Sequence, residues 1–306
     1  MTEQDKSNTA TSQAAILLRL DKGRRRWRLL AVVAVVCFLF TVFAIGQTRD
    51  TGSKMPHIAQ ITIEGLLTDS LYSQKVLEEL RTNPATKAVM VYVDSPGGTM
   101  VGGLNMHHSL RRIAADKPVV TVMGTVAASA GYMVSAAGDH IVASPGSITG
   151  SIGVMMPLVD ATELARKIGI RSEEVVSGAY KTSTSPLKER SADERAYLKD
   201  TVMEMQGVFL DLIKDRRPLS DDALEKIADG RILTGVTAHS LGLVDSLGNR
   251  HTAFAWLNTE KGLSADLPLR DVSIHEPEGF FEAMIHGAQT VLFSKQFGHG
   301  IMAIMD

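Results

Sequence analysis

Residues 87–94, KAVMVYVD, run directly into Ser95-Pro96-Gly97-Gly98. The first eight residues carry β-branched side chains and no breaker, which marks a buried strand. Outward from it, strand and helix signals alternate. HIAQITIEG (57–65) reads as a strand and SQKVLEELRTN (73–83) as a helix. GGLNMHHSLRRIAAD (102–116) is a helix, PVVTVMGT (118–125) a strand, and SAGYMVSAAG (129–138) a short helix with Gly138 as its C′ glycine. HIVASP (140–145) is the next strand. Further on, the pattern predicts a helix over 158–168, a strand over 171–177, a long helix over 191–217, and helices near 221–228, 235–241 and 249–260. Strands separated by single helices predict an α/β fold of repeated β-α-β units around a parallel sheet.

The chain has 306 residues, of which 44% are hydrophobic and 22% charged, so collagen-like, disordered and coiled-coil classes are excluded. A formal charge of −2 gives no basic excess for nucleic acid. Cys37 is the single cysteine, which excludes an intramolecular disulfide framework and a cysteine-based zinc site. No cluster has metal-ligand spacing, and no cofactor is expected.

Charge is sorted along the chain. Residues 1–28 hold seven Lys/Arg against three acids, and the twenty residues that follow Arg28 carry no charge. A helix of that length spans roughly 30 Å, the thickness of a bilayer's hydrocarbon core. The GRRRWR run before it holds the N-terminus in the cytoplasm, with phospholipid headgroups rather than nucleic acid as its partner. The apolar run is longer than the region of about 7–15 residues in a cleaved signal peptide, and Phe43-Ala44-Ile45 is a poor cleavage site. The expected organisation is a cytoplasmic segment 1–28, a single-pass transmembrane signal anchor 29–48, a linker 49–56, a globular α/β domain 57–265 on the outer side of the cytoplasmic membrane, and a tail 266–306.

Three stretches carry chemistry. Asp94-Ser95-Pro96-Gly97-Gly98 ends a strand, where parallel sheets gather reacting groups, and its glycines bare backbone N–H groups suited to an oxyanion. Taken alone it is also an ordinary strand-to-helix turn. Ser129 opens a helix among Ala127, Ala128, Ala130 and Gly131, small neighbours that let a substrate chain approach. Taken alone it is equally an N-cap. A serine hydroxyl needs a base, yet no histidine lies between His140 and His239, and His140 starts the following strand, directed away. Lysine can serve only when neutral. An ordinary lysine has a pKa of about 10.4, leaving roughly one in 2,500 neutral at pH 7, and burial lowers that pKa. Lys181 stands among small and aromatic residues, compatible with burial; Lys188, within LKER, does not. His107 and His108 read as packing or surface residues.

Asp94-Ser-Pro-Gly-Gly, Ala-Ser129-Ala-Gly, Thr149-Gly-Ser-Ile-Gly-Val154, Gly178-Ala-Tyr-Lys181 and Gly230-Arg-Ile-Leu-Thr-Gly235 followed by Gly242-Leu-Val-Asp245 occur in one order. In this the chain resembles the bacterial signal peptide peptidase A family, in its short single-domain form, within the Clp protease/crotonase superfamily. The resemblance covers roughly residues 57–260. It implies Ser129 as nucleophile, Lys181 as general base, Ser151 as the residue orienting that lysine, and the N–H groups of Gly97 and Ala130 as oxyanion hole. It implies a serine endopeptidase that degrades residual signal peptides or other hydrophobic peptides at the outer face of the membrane. It also implies a homo-oligomer, a tetramer or octamer, in which neighbouring subunits can share a site. A histidine expected for the Clp branch is missing from 147–156, and no acid stands near Ser129 or Ser151 in sequence except Asp139, which disfavours crotonase chemistry. The competing readings are a protease for one membrane-protein partner and a catalytically silent scaffold.

Overall fold

The computed structural model describes residues 30–36, 38 and 55–276. Residues 30–36 and 38 are helical, with Leu30, Val32, Val33, Val35, Val36 and Phe38 exposed. Among the described residues no helix is long and apolar enough to cross a membrane. The expected segment 1–28, most of the anchor 29–48 and of the linker 49–56, and residues 277–306 of the tail lie outside them.

From His57 the chain runs β1 (His57–Leu67), α1 (Leu71–Thr82), β2 (Thr86–Gly98), α2 (Met100–Asp116), β3 (Val119–Ala128), α3 (Ala130–Ser135), β4 (His140–Ala143) and β5 (Ile148–Gly150). After these come α4 (Thr162–Lys167), α5 (Ala192–Arg216), α6 (Asp221–Ile227), β6 (Ile232–Thr234), α7 (Gly235–Ser240), β7 (Ser246–Leu247), α8 (Arg250–Thr259) and β8 (Leu269–Asp271). Among the described residues the strands form one sheet in the order β6-β5-β3-β2-β1-β8, with β4 pairing β3 and β7. Pairing is parallel except between β5 and β6.

β2 explains the layering. Val89, Val91 and Val93 point into a core shared with α1, α2 and α3, while Ala88 and Met90 point into a second core under α8. Both faces of the strand are covered, which is why it reads as a continuous apolar run. Helix starts are sealed by side chains: Ser70 Oγ accepts from Ser73 N–H (3.1 Å) and Thr99 Oγ1 from Gly102 N–H (3.1 Å). Register shifts fall at His57/Ile58, at the start of β1, and at Glu64/Leu66 and Val93/Ser95, toward the C-terminal ends of β1 and β2.

Several expectations change. The strand predicted over 171–177 does not form; residues 169–181 are exposed and carry no helix or strand. The helix predicted over 158–168 shortens to α4. The helix opened by Ser129 stops at Ser135 with Ala136 as its C-cap, so Gly138 does not terminate it. Gly138 is there for closeness, since a Cβ would meet Thr121 Oγ1 at 2.8 Å. The domain also runs past 265: β8 pairs with β1 in parallel, and Ile274 is buried in the main core.

Candidate active site

β3 ends at Ala128 and α3 begins at Ala130, and Ser129 makes the turn between them with φ 53° and ψ −122°. Among the described residues, Ser129 and Ser151 are the non-glycine residues with positive φ. Such backbone costs on the order of 1–3 kcal/mol and persists only where surrounding contacts enforce it. The contacts are identifiable. Ser129 N–H donates to Gly150 O (2.9 Å), Ser151 N–H to Arg231 O (2.7 Å), and Thr149 Oγ1 to Ala127 O (2.6 Å). β5 is therefore stitched to the end of β3, and each strained serine is pinned through its own amide. Asp94 contributes in the same way, accepting from Val126 N–H through Oδ1 at 2.9 Å.

Ser129 occupies the N-cap position of α3, yet its side chain makes no capping bond. The strained backbone turns the hydroxyl away from the helix amides. Ala130 N–H, at the first position of the helix, has no intrahelical acceptor. Gly97, at φ 125°, faces Ser129 so closely that a Cβ would lie 2.9 Å from Ser129 Cβ and 3.3 Å from its Oγ. Its N–H is engaged, donating to Ser95 Oγ at 3.2 Å, while the Ser95 hydroxyl donates to Gly65 O at 2.6 Å.

Ser129, Ala130, Ser151, Gly97 and Gly98 line one cavity of about 920 Å³. Its remaining wall is mostly apolar: Leu66, Met100, Met133, Val154, Met155, Met205 and Phe209. The sequence expectation thus assembles four of its five residues: Ser129, Gly97, Ala130 and Ser151. Lys181 does not line this cavity. It sits on an exposed turn rather than a buried one. The turn is tied to the N-terminal end of α5, whereas Met205 and Phe209 of the same helix reach the cavity. From Glu194 to Met205 the helix rises roughly 16 Å.

One acid comes close that sequence distance hid. Asp229 lines the cavity, although no acid except Asp139 is near in sequence. Its carboxylate accepts from Arg231 Nε (2.9 Å) and Nη2 (2.5 Å), and these bonds hold its pKa down at about 2. Committed to Arg231, it is poorly suited to take a proton. Asp139 is turned elsewhere, onto Arg111 and Val119 N–H. His140 is directed away as expected: it stacks on Trp256 at 4.9 Å and meets Ser246 Oγ at 2.9 Å. The methionines of the wall were missed in sequence because each lies on a different element; only their abundance, 14 in the chain, hinted at them. Among the described residues no group of His, Cys, Asp and Glu could hold a metal.

A hydroxyl held on strained backbone beside a glycine turn, at the C-terminal edge of a parallel sheet, is the arrangement a serine hydrolase requires of its nucleophile. Comparison with known proteins narrows the class. The family described as Peptidase family S49 matches residues 111–264. A protein of Methanocaldococcus jannaschii named as a protease is 34% identical over 213 residues, covering 70% of this chain and 68% of that one. A second, of Synechocystis, also named as a protease, is 33% identical over 237 residues, covering 77% and 85%. A protein of Enterococcus faecium named as a signal peptide peptidase SppA is 30% identical over 232 residues, covering 71% and 67%. Among solved structures, a ClpP1 mutant from Listeria monocytogenes is similar at a TM-score of 0.43 and 16% identity, covering 63% of this chain and 93% of that one. The chain belongs to peptidase family S49, the SppA family, and is a serine protease.

Proposed function

We propose that the protein is a membrane-anchored endopeptidase with a serine–lysine dyad, acting on signal peptides and other hydrophobic peptides at the outer face of the cytoplasmic membrane. The observation that carries this reading is the pairing of strain with position. Among the described residues, the two non-glycine residues forced to positive φ, Ser129 and Ser151, both line the mostly apolar cavity that Gly97 borders.

In the proposed reaction Ser129 Oγ attacks a peptide carbonyl while Lys181 Nζ, neutral, takes its proton. The oxyanion that forms is met by Ala130 N–H and by Gly97 N–H, whose 3.2 Å bond to Ser95 Oγ yields to the stronger acceptor. Lys181 then protonates the leaving amine, and water releases the ester. Ser151 holds the lysine in line. Because Lys181 stands apart from the cavity of its own chain, the base that serves Ser129 comes from an adjoining copy in a tetramer or octamer. That contact would also bury Lys181, as its role requires. The wall of Leu66, Met100, Met133, Met155 and Phe209 suits apolar side chains, and methionine adapts to varied ones. The charge-free run after Arg28 supplies the anchor and sets the substrate pool.

The test is cleavage of a fluorogenic apolar peptide by the full-length enzyme in detergent. Ser129→Ala and Lys181→Ala should each lower kcat by 10³-fold or more, a loss on the order of 4 kcal/mol in transition-state stabilisation, with assembly unchanged. Turnover near the wild-type rate by either variant overturns the dyad.

A further inference from the structure

The turn that bears Lys181 has an anchor of its own. Lys181 N–H donates to Gly178 O (3.1 Å), and Ser185 N–H to Thr182 O (2.9 Å), so residues 178–185 fold on themselves. Lys181 is exposed, but Ser183, two residues on, is 2% exposed. Ser183 Oγ lies 3.0 Å from Tyr180 O and 3.3 Å from Glu194 Oε1. That Glu194 oxygen also accepts from Lys188 Nζ at 2.6 Å. The other, Oε2, accepts from Ser191 N–H at 2.9 Å and closes the capping box of α5. Helix capping therefore uses one oxygen of Glu194, and the second, held by Lys188, is shared with the Ser183 hydroxyl, whose one proton lies between Tyr180 O and Glu194 Oε1.

Two more contacts converge on the same segment. The Arg190 guanidinium, on a residue 7% exposed, donates from Nε to Ser183 O (2.9 Å) and from Nη2 to Ser185 O (3.2 Å) and Val159 O (3.0 Å). Burying a guanidinium is costly unless its donors are used, and here they are spent on carbonyls flanking the turn. The Tyr180 ring packs on Tyr197 of α5 at 4.9 Å. Lys188, its strongest partner, and the Ser191 amide keep the Glu194 carboxyl at about 2, so it stays ionised across any working pH.

We infer that Glu194, acting through Ser183, is the positioning residue for the general base. It fixes the turn so that Lys181 is presented at a set place and angle to the serine of an adjoining copy. This rests on the serine–lysine reading above. A base delivered from a separate chain needs a rigid mount, because a small displacement of a reacting group costs rate even where binding is intact.

The full-length enzyme tests this through Ser183→Ala, which removes the link with one oxygen atom, and Glu194→Ala, which removes the whole mount. Ser191→Ala is the control: it takes away the N-cap hydroxyl of α5 and leaves Ser183 and Glu194 Oε1 in place. Ser183→Ala and Glu194→Ala should each lower kcat at least tenfold with KM within twofold. Their kcat–pH profiles should rise at higher pH than the wild type, because a loosened base is less well desolvated. Ser191→Ala should keep the wild-type kcat and profile. Should Glu194→Ala fail to assemble, Ser183→Ala decides alone. Wild-type kcat and pH profile in Ser183→Ala overturn the inference, as does an equal loss in Ser191→Ala, which would reduce Glu194 to a helix cap. Activity retained by Lys181→Ala would instead sink the dyad itself, so the two failures are told apart.

Discussion

Ser129 concentrates the backbone strain at the scale of one residue. Its side chain is small, its neighbours are small, and its backbone, at φ 53°, is pinned by the hydrogen bond its N–H donates to Gly150 O. Gly97 is the matching concession, because any side chain there would strike Ser129 at 2.9 Å. Gly97→Ala should therefore cost about 1–3 kcal/mol of stability for the strained φ and abolish turnover, measured as a drop in the urea midpoint together with loss of peptide cleavage. A fully active, equally stable Gly97→Ala protein would remove Gly97 from the site. The glycine was legible in sequence because baring an amide demands glycine, and Ser-Pro-Gly-Gly announces a turn. The strain at Ser129 and Ser151 was not, since nothing in a serine's identity signals a positive φ. That information lies in the bonds from their amides to Gly150 and Arg231.

Elements were legible in proportion to their length and burial. β1, β2, β3, α2 and α5 appear close to where periodicity placed them, because each spans enough residues for one face to show. β5 and β6, three residues each, are set by pairing with one another and with β3, and no local pattern could reveal them. Valines in 171–177 suggested a strand because propensity measures fit to a sheet, and this segment meets none. One element carries a pH response. His107 on α2 is buried and bonded through Nδ1 to Met133 O at 2.8 Å, behind the helix that Ser129 opens. Burial, only partly opposed by that carbonyl, pushes its pKa down to about 4, below the ordinary 6.5. The unfolded chain thus binds the proton more readily between those values. The stability His107 confers is complete above pH 6.5 and is lost as pH falls toward 4, by an amount on the order of 3 kcal/mol. His140, also lowered chiefly by burial, acts in the same direction. Urea midpoints should fall from pH 7 to pH 4.5, and His107→Gln should flatten that slope; an unchanged slope would contradict the assignment.

At the scale of the whole molecule, one chain does not bring together all that its sequence promised. Its cavity holds Ser129, Ser151 and Gly97, while Lys181 stands on a segment whose apolar side chains face outward: Val159 is 67% exposed, Ile168 64% and Val175 98%. A surface of that kind in a peptidase asks for a covering partner, and in the proposed assembly that place falls to a second copy bringing Lys181. The order of the motifs singled out five residues, but sequence alone could not say that Lys181 stands outside the cavity the other four line, because that depends on where an exposed segment points. The most direct measurement mixes two dead enzymes. Ser129→Ala and Lys181→Ala proteins, each inactive alone, are dissociated in detergent, combined in equal amounts and allowed to reassemble. If the base crosses between copies, the mixture regains cleavage of the fluorogenic peptide at about a quarter of the wild-type rate per chain, the share of neighbouring pairs in which an intact serine meets an intact lysine under random reassembly into a ring. A mixture that forms mixed assemblies yet stays as inactive as its parts would contradict the account.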